Sequence, residues 1–194
     1  MTASPSSLLF MAFLAVYLAI RGLFIRRARH AKAVSRNSLV DRLLVLTMGL
    51  GQVVLPIVLV TRPGLLAVAD RAQPIACAVL GALVMGAGLW LFWRSHADLG
   101  DSWSVTLELN AQHRLVTRGV YRVVRHPMYV SFFVLGIGQA LLLANWIAGF
   151  GGLVATTLLV TVRLPREEGM MIEAFGDEYL DYMRRTGGLV PRRP

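Results

Sequence analysis

The sequence is short of charge, of cysteine and of every motif by which soluble enzymes hold phosphate or metal. Charged residues make up 16% of its 194 positions, against roughly 25% in an ordinary soluble domain. With 56% hydrophobic residues and a mean hydropathy of +0.59, a water-soluble fold would expose large apolar patches; lipid is the better solvent. Cys77 is the single cysteine and lies in an apolar run. That excludes a disulfide framework and reads as a small buried hydrophobe. There is no glycine-rich phosphate loop, no zinc-spaced His/Cys cluster and no G-x-S-x-G elbow. Strand-like alternation is missing as well, which argues against a Rossmann-type site. No repeat or low-complexity tract divides the chain, so residues 1–194 read as one domain. The net charge of +9 raises nucleic acid as a partner. The basic residues are instead dispersed between apolar segments with no nucleic-acid motif, and anionic lipid headgroups suit them better.

What is present is a series of apolar runs near the 17 to 25 residues that span a bilayer. The first covers Ser7 to Ile25; its positive charges follow it, as in an anchor and unlike a signal peptide. The second covers Leu39 to Val60, with Pro56 as a kink that neighbouring helices stabilise. The third covers Pro74 to Trp93. There Gly81, Gly86 and Gly88 permit close helix contact, and Trp90 and Trp93 suit an interfacial belt. Two shorter runs, Met128 to Ala144 and Trp146 to Val162, are separated by Asn145 as in a tight helical hairpin. The expectation is an all-α integral membrane protein of about five transmembrane helices. Residues 1–93 form the first three. Residues 94–194 hold the hairpin at 128–162, a polar connector and an amphipathic C-terminal helix at 165–186. A kinked re-entrant pair is the alternative for the hairpin.

Charge sets the orientation. The Arg26–Ser38 linker carries Arg26, Arg27, Arg29, Lys32 and Arg36. The connector carries Arg94, Arg114, Arg118, Arg122 and Arg125, and six arginines lie from Arg163 onward. Five helices put all three segments on one side and leave Arg62 and Arg71 on the other. The positive-inside rule makes the heavy side cytoplasmic and the N-terminus external.

The cytoplasmic side carries the residues suited to chemistry. Pro127 opens a helix beside Arg125, His126, Met128 and Tyr129, where unpaired backbone N–H groups attract an anion; a basic-aromatic interfacial anchor reads equally from composition. Leu115 to Tyr121 contains Gly119, which allows a turn or a close ligand approach. Arg163 and Glu167 stand four apart, sharing a helix face if Pro165 does not break it. Ionisable groups at a bilayer edge are functional candidates, with a solvated, salt-bridged helix start as the plain alternative. From Pro165 onward, Glu167 and Glu168 suit a helix N-terminus. Met171, Phe175, Tyr179 and Met183 form a stripe for lying on the membrane or covering a cavity. Trp103 is the aromatic of the connector.

From about His96 to Pro191 these pieces, in order, resemble the isoprenylcysteine carboxyl methyltransferase family. They are Gly-Val-Tyr at 119–121, Arg-His-Pro-Met-Tyr at 125–129, and Arg163 followed by Glu167 and Glu168. Phe175-Gly176-Asp177-Glu178-Tyr179 and Tyr182 complete the set. The first two helices carry no such motif. The resemblance implies a membrane enzyme using S-adenosylmethionine in a cytoplasm-facing pocket, with S-adenosylhomocysteine as product and a lipophilic acceptor arriving from the membrane. By motif, Val116, Gly119, Tyr121, His126, Pro127 and Tyr129 would line the cofactor site, with Glu167 and Glu168 on its amino or ribose groups. Arg163 would orient an acceptor carboxylate, with Glu167 as its partner; no metal is implied. An amine acceptor, such as a phospholipid or a small amine, would instead need Glu167 as base. A membrane reductase using a nicotinamide cofactor and a non-catalytic scaffold are the readings outside this class.

Overall fold

The computed structural model describes residues 4–28, 39–100 and 115–192. Arg29, Lys32, Arg36, Trp103 and Arg114, named above from the sequence, lie outside the described residues. All regular elements among those described are helical. The main helices are α1 (Pro5–Ala28), α2 (Leu39–Gly49), α3 (Leu55–Thr61), α4 (Pro63–Leu66), α5 (Ile75–Leu99), α6 (Pro127–Leu142), α7 (Trp146–Phe175) and α8 (Asp177–Arg185). α1 begins on Pro5, whose missing N–H is no loss in a first turn. The Ser4 hydroxyl accepts the Ser7 amide at 3.2 Å, closing the helix start.

Four stretches are long and apolar enough to cross a membrane: Pro5–Arg26, Leu39–Thr61, Ile75–Leu99 and Trp146–Phe175. The fourth of the five expected spans, α6, has 16 residues and is about 24 Å long, short of the ~30 Å hydrocarbon core. The loop between the second and third spans compensates by folding onto its far end. Arg71 donates to the carbonyls of Ala140 and Leu143, and Gln73 donates to those of Leu141 and Leu142, each at 2.6 Å. These are the last carbonyls of α6, which have no intrahelical donor. A cation there also complements the helix dipole. Asn145, fully buried, caps α7 through the Ala148 amide and donates to Leu66 O and Asp70 Oδ1. Arg71, counted above only as a charge on that side, is a structural clamp.

Beside Pro56, where a kink is expected, the second span changes its hydrogen-bond register. A π-helical turn, Leu50–Val54, joins α2 to α3, and the Leu55 amide bonds to Leu50 O. Gly51 O therefore loses its usual donor, and in the wider register its next donor would be residue 56, which as proline has none. Gln139 of α6 fills the gap: its Nε2 donates to Gly51 O at 2.8 Å and to Ala148 O at 2.6 Å. One side chain thus ties three membrane helices together.

The core is one cluster. Phe10, Leu14 and Tyr17 of α1 meet Met85, Leu89 and Phe92 of α5, Tyr129, Phe132 and Leu135 of α6, and Leu159 and Val160 of α7. α5 lies closest to α6, with Gly81 against Leu142 and Gly88 against Leu135. Gly86 has open space beside it and takes no part in the contact expected of it. Trp90 and Trp93 are exposed, as interfacial residues would be.

The C-terminal region departs from the expected single helix at 165–186. α7 runs through Pro165 without a break and ends at Phe175, and α8 follows as a separate helix. At 30 residues α7 is about 45 Å long. Its apolar part ends at Val162, and Arg163 onward projects beyond it. Pro165 costs α7 one hydrogen bond, to Thr161 O, which packing against α2 and α6 offsets. The stop falls at Gly176, where φ is +50°, a conformation glycine adopts without strain.

Candidate active site

The projecting end of α7, the start of α6, the end of α5 and α8 converge on one polar cluster. Gly119 starts it, with φ +59° and a 3₁₀ turn over Gly119–Arg122. A Cβ at Gly119 would overlap the Asp98 carboxylate. That carboxylate is held by Arg94 at 2.6 Å and accepts the Val120 amide at 2.9 Å. Glycine is needed there because of Asp98, a residue no motif pointed to. Tyr121 is buried; its hydroxyl donates to Ser95 O at 3.3 Å, and its carbonyl accepts the Tyr182 hydroxyl. Tyr179 and Tyr182 pack edge to face at 6.0 Å. Burial raises the pKa of Tyr121, Tyr179 and Tyr182, Tyr179 to about 12, so all three remain neutral.

The next stretch is stitched to the C-terminal strap. The Arg125 amide bonds to Gly187 O at 2.8 Å and the His126 amide to Gly188 O at 3.2 Å, with Val124 bridging Gly187 in parallel. The Arg125 side chain donates to the carbonyls of Met183 and Thr186. The amides of Arg125 and His126, immediately ahead of α6, are thus already satisfied by the protein.

Beyond them the side chains form a network. Glu168 Oε1 accepts Arg125 Nη2 at 2.6 Å and His126 Nε2–H at 3.1 Å. The His126 hydrogen bond, then Arg125, depress the Glu168 carboxyl from 4.5 to about 2. His126 stacks on Tyr129, 5.8 Å between centroids. The Tyr129 hydroxyl donates to Glu167 Oε2 at 2.5 Å, and Arg163 stands one helical turn before Glu167 on α7. Pro127, fully buried, opens α6 and aims His126 and Tyr129 at α7. The structure therefore brings together His126, Pro127, Tyr129, Arg163, Glu167 and Glu168, with Tyr121 and Gly119 joined through α8 and Asp98. Val116 lies half-buried on the connector, outside this hydrogen-bonded network. Arg125 was visible only as part of a motif, yet it is the main anchor of Glu168. No group of three or more His, Cys, Asp or Glu residues among those described could hold a metal.

Fold and cluster together define a helical integral membrane protein with an acid, imidazole and phenol site at the polar end of its helices. The sequence profile of the isoprenylcysteine carboxyl methyltransferase (ICMT) family matches residues 77–173, half of the chain, and the chain belongs to that family. Protein-S-isoprenylcysteine O-methyltransferase of Schizosaccharomyces pombe is 34% identical over 119 residues, covering 59% of this chain and 49% of that protein. Protein-S-isoprenylcysteine O-methyltransferase B of Arabidopsis thaliana is 29% identical over 113 residues, 58% of this chain and 55% of the relative. The Mus musculus enzyme of the same name is 41% identical over 82 residues, 42% and 29% of the two chains. The chain spans about half the length of the curated relatives it matches first. The solved structure of a eukaryotic intramembrane Ras methyltransferase ICMT, without a monobody, superposes with a TM-score of 0.64 at 24% identity. It covers 98% of this chain and 69% of that one, a likeness of fold.

Proposed function

We propose that this protein is a membrane methyltransferase that moves a methyl group from S-adenosylmethionine to the carboxylate of a lipophilic, isoprenylcysteine-like acceptor. The observation that carries the reading is the joining of Tyr129 to Glu167 and of His126 and Arg125 to Glu168, at the level where α7 leaves the apolar layer. The residues fit the donor. A sulfonium and an ammonium are complemented by carboxylates and by the stacked faces of His126 and Tyr129. The donor's carboxylate is complemented by the arginine-rich rim. Glu167, Glu168, His126, Pro127, Tyr129 and Tyr121 would hold it, with Gly119 and Val116 on the connector side. When bound, the donor supplies an electrophilic methyl carbon.

The protein supplies position and dryness. An acceptor carboxylate is already ionised at neutral pH, so no general base is required. Arg163 orients it, and Glu167, fixed by the Tyr129 hydroxyl, sets the position of the adjacent turn. Holding the opposed charges in line, with water excluded by α8 and the strap, accounts for the catalysis. The acceptor's hydrocarbon stays in lipid while its head reaches the site. The arginine distribution supports a cytoplasmic site and C-terminus with the N-terminus outside.

The test is calorimetric binding of S-adenosylhomocysteine to detergent-purified protein, with His126→Ala and Glu168→Ala alongside, followed by methyl transfer to an S-farnesylcysteine derivative. Micromolar binding lost in both variants, with ester formation by the wild type, is the expected result. A folded protein that binds no S-adenosylhomocysteine would overturn the reading.

A further inference from the structure

The family match begins at residue 77, within α5, and leaves α1 to α4 outside it. α2 nevertheless brings a charged group to the site. Asp41 lies in the first turn of α2, a position where an acid suits the helix dipole, and is only 4% exposed. It faces α7: its Oδ1 lies 3.5 Å from Arg166 Nη1. Arg166 stands between Arg163 and Glu167 and immediately follows Pro165, the proline inside α7. At that proline the Thr161 carbonyl has no amide donor, so this turn is the least self-supported part of the helix. Side chains from outside α7 hold it in place. Tyr129 holds Glu167, Arg125 and His126 hold Glu168, and Asp41 holds Arg166. The first two tethers belong to the site already described; the third comes from the N-terminal half.

We propose that Asp41 is a positioning residue for methyl transfer, fixing from α2 the proline-weakened turn of α7 that presents Arg163 and Glu167. This rests on the methyltransferase reading above. Arg166 is 44% exposed, and an ion pair of that kind adds little to global stability. Its effect falls on geometry, where a displacement of about 1 Å can cost about a hundredfold in rate.

The experiment compares Asp41→Asn, Asp41→Glu and Arg166→Gln with wild type in kcat, acceptor KM, S-adenosylhomocysteine affinity and amide exchange. Arg166→Gln breaks the same pair at a half-exposed position, so it keeps the test alive if the buried variant misfolds. Asp41→Asn and Arg166→Gln are expected to lower kcat about ten- to a hundredfold, with a smaller loss of S-adenosylhomocysteine affinity because Glu167 and Glu168 ride on the same turn while their own tethers to Tyr129, Arg125 and His126 remain. Amides of residues 163, 164 and 166–168 should exchange faster while those of α5 do not, and Asp41→Glu should recover most of the rate. An unchanged kcat in Arg166→Gln would overturn the proposal. So would a loss of turnover only in proportion to lost folding and donor binding, or unaltered exchange at these amides. If the wild type neither binds S-adenosylhomocysteine nor turns over, the methyltransferase reading fails, and the exchange comparison still decides whether Asp41 holds this turn.

Discussion

Glu168 shows how one side chain can be committed by its neighbours. Its carboxyl, drawn down to about 2 from 4.5 by His126 first and Arg125 next, is ionised throughout the physiological range. Because the folded value lies below the unfolded one, its contribution to stability is complete above about pH 4.5 and disappears as the pH falls through about 2. The melting advantage of wild type over Glu168→Gln in detergent should therefore be flat from pH 7 to 5 and shrink steadily toward pH 2. Tyr129 offers a cleaner probe of chemistry. Tyr129→Phe removes only the hydroxyl that Glu167 accepts. A hydrogen bond to a charged group is worth about 1.5–3 kcal/mol, so turnover should fall roughly ten- to a hundredfold while the protein remains folded. Steady-state rates on quantified folded protein check this. At this scale the motif residues His126, Tyr129, Glu167 and Glu168 were legible from their order in the chain. Asp98 and Asp41 were not, because each acts through a contact that spans the fold: Asp98 on Val120, Asp41 on Arg166.

The elements show where sequence reading holds in a membrane and where it slips. Apolar runs bounded by arginines gave the helices, because lipid admits few alternatives to a fully hydrogen-bonded helix. From sequence, Pro165 suits a helix start, its ordinary place in water. In α7 it is an interior residue, since neighbouring helices and side chains offset one missing bond, and the true stop is Gly176. Pro56 is the opposite case: an irregularity is expected there, and a π-turn stands immediately before it. Its energetics can be tested as a cycle. Gln139→Leu strips Gly51 O of its donor and should destabilise by about 1–3 kcal/mol. Pro56→Ala restores an amide that can reach that carbonyl, so Gln139→Leu should cost less in the Pro56→Ala background. Melting temperatures of the four proteins give the coupling, and strict additivity would contradict this account of the π-turn.

For the whole molecule, the two ends of the helical bundle are secured by different means. At the end away from the site, Arg71 and Gln73 close the carbonyls of the short α6. Arg71→Ala should cost roughly 1.5–3 kcal/mol of stability through its lost hydrogen bonds, seen as a lower melting temperature, and leave S-adenosylhomocysteine affinity in the surviving folded protein unchanged. A parallel loss of affinity would mean that the two ends are coupled. At the site end, the strap at Gly187 and Gly188 closes onto Arg125 and His126, about sixty positions earlier in the chain. That pairing has a temporal side. Residues 125 and 126 emerge from the ribosome well before their partners, and both α6 and α7 are made in between. A nascent chain with every apolar helix already in lipid would still hold His126 and Glu168 in an unfinished arrangement. Ligand affinity would then be among the last properties acquired during biogenesis, a built-in delay between insertion and competence.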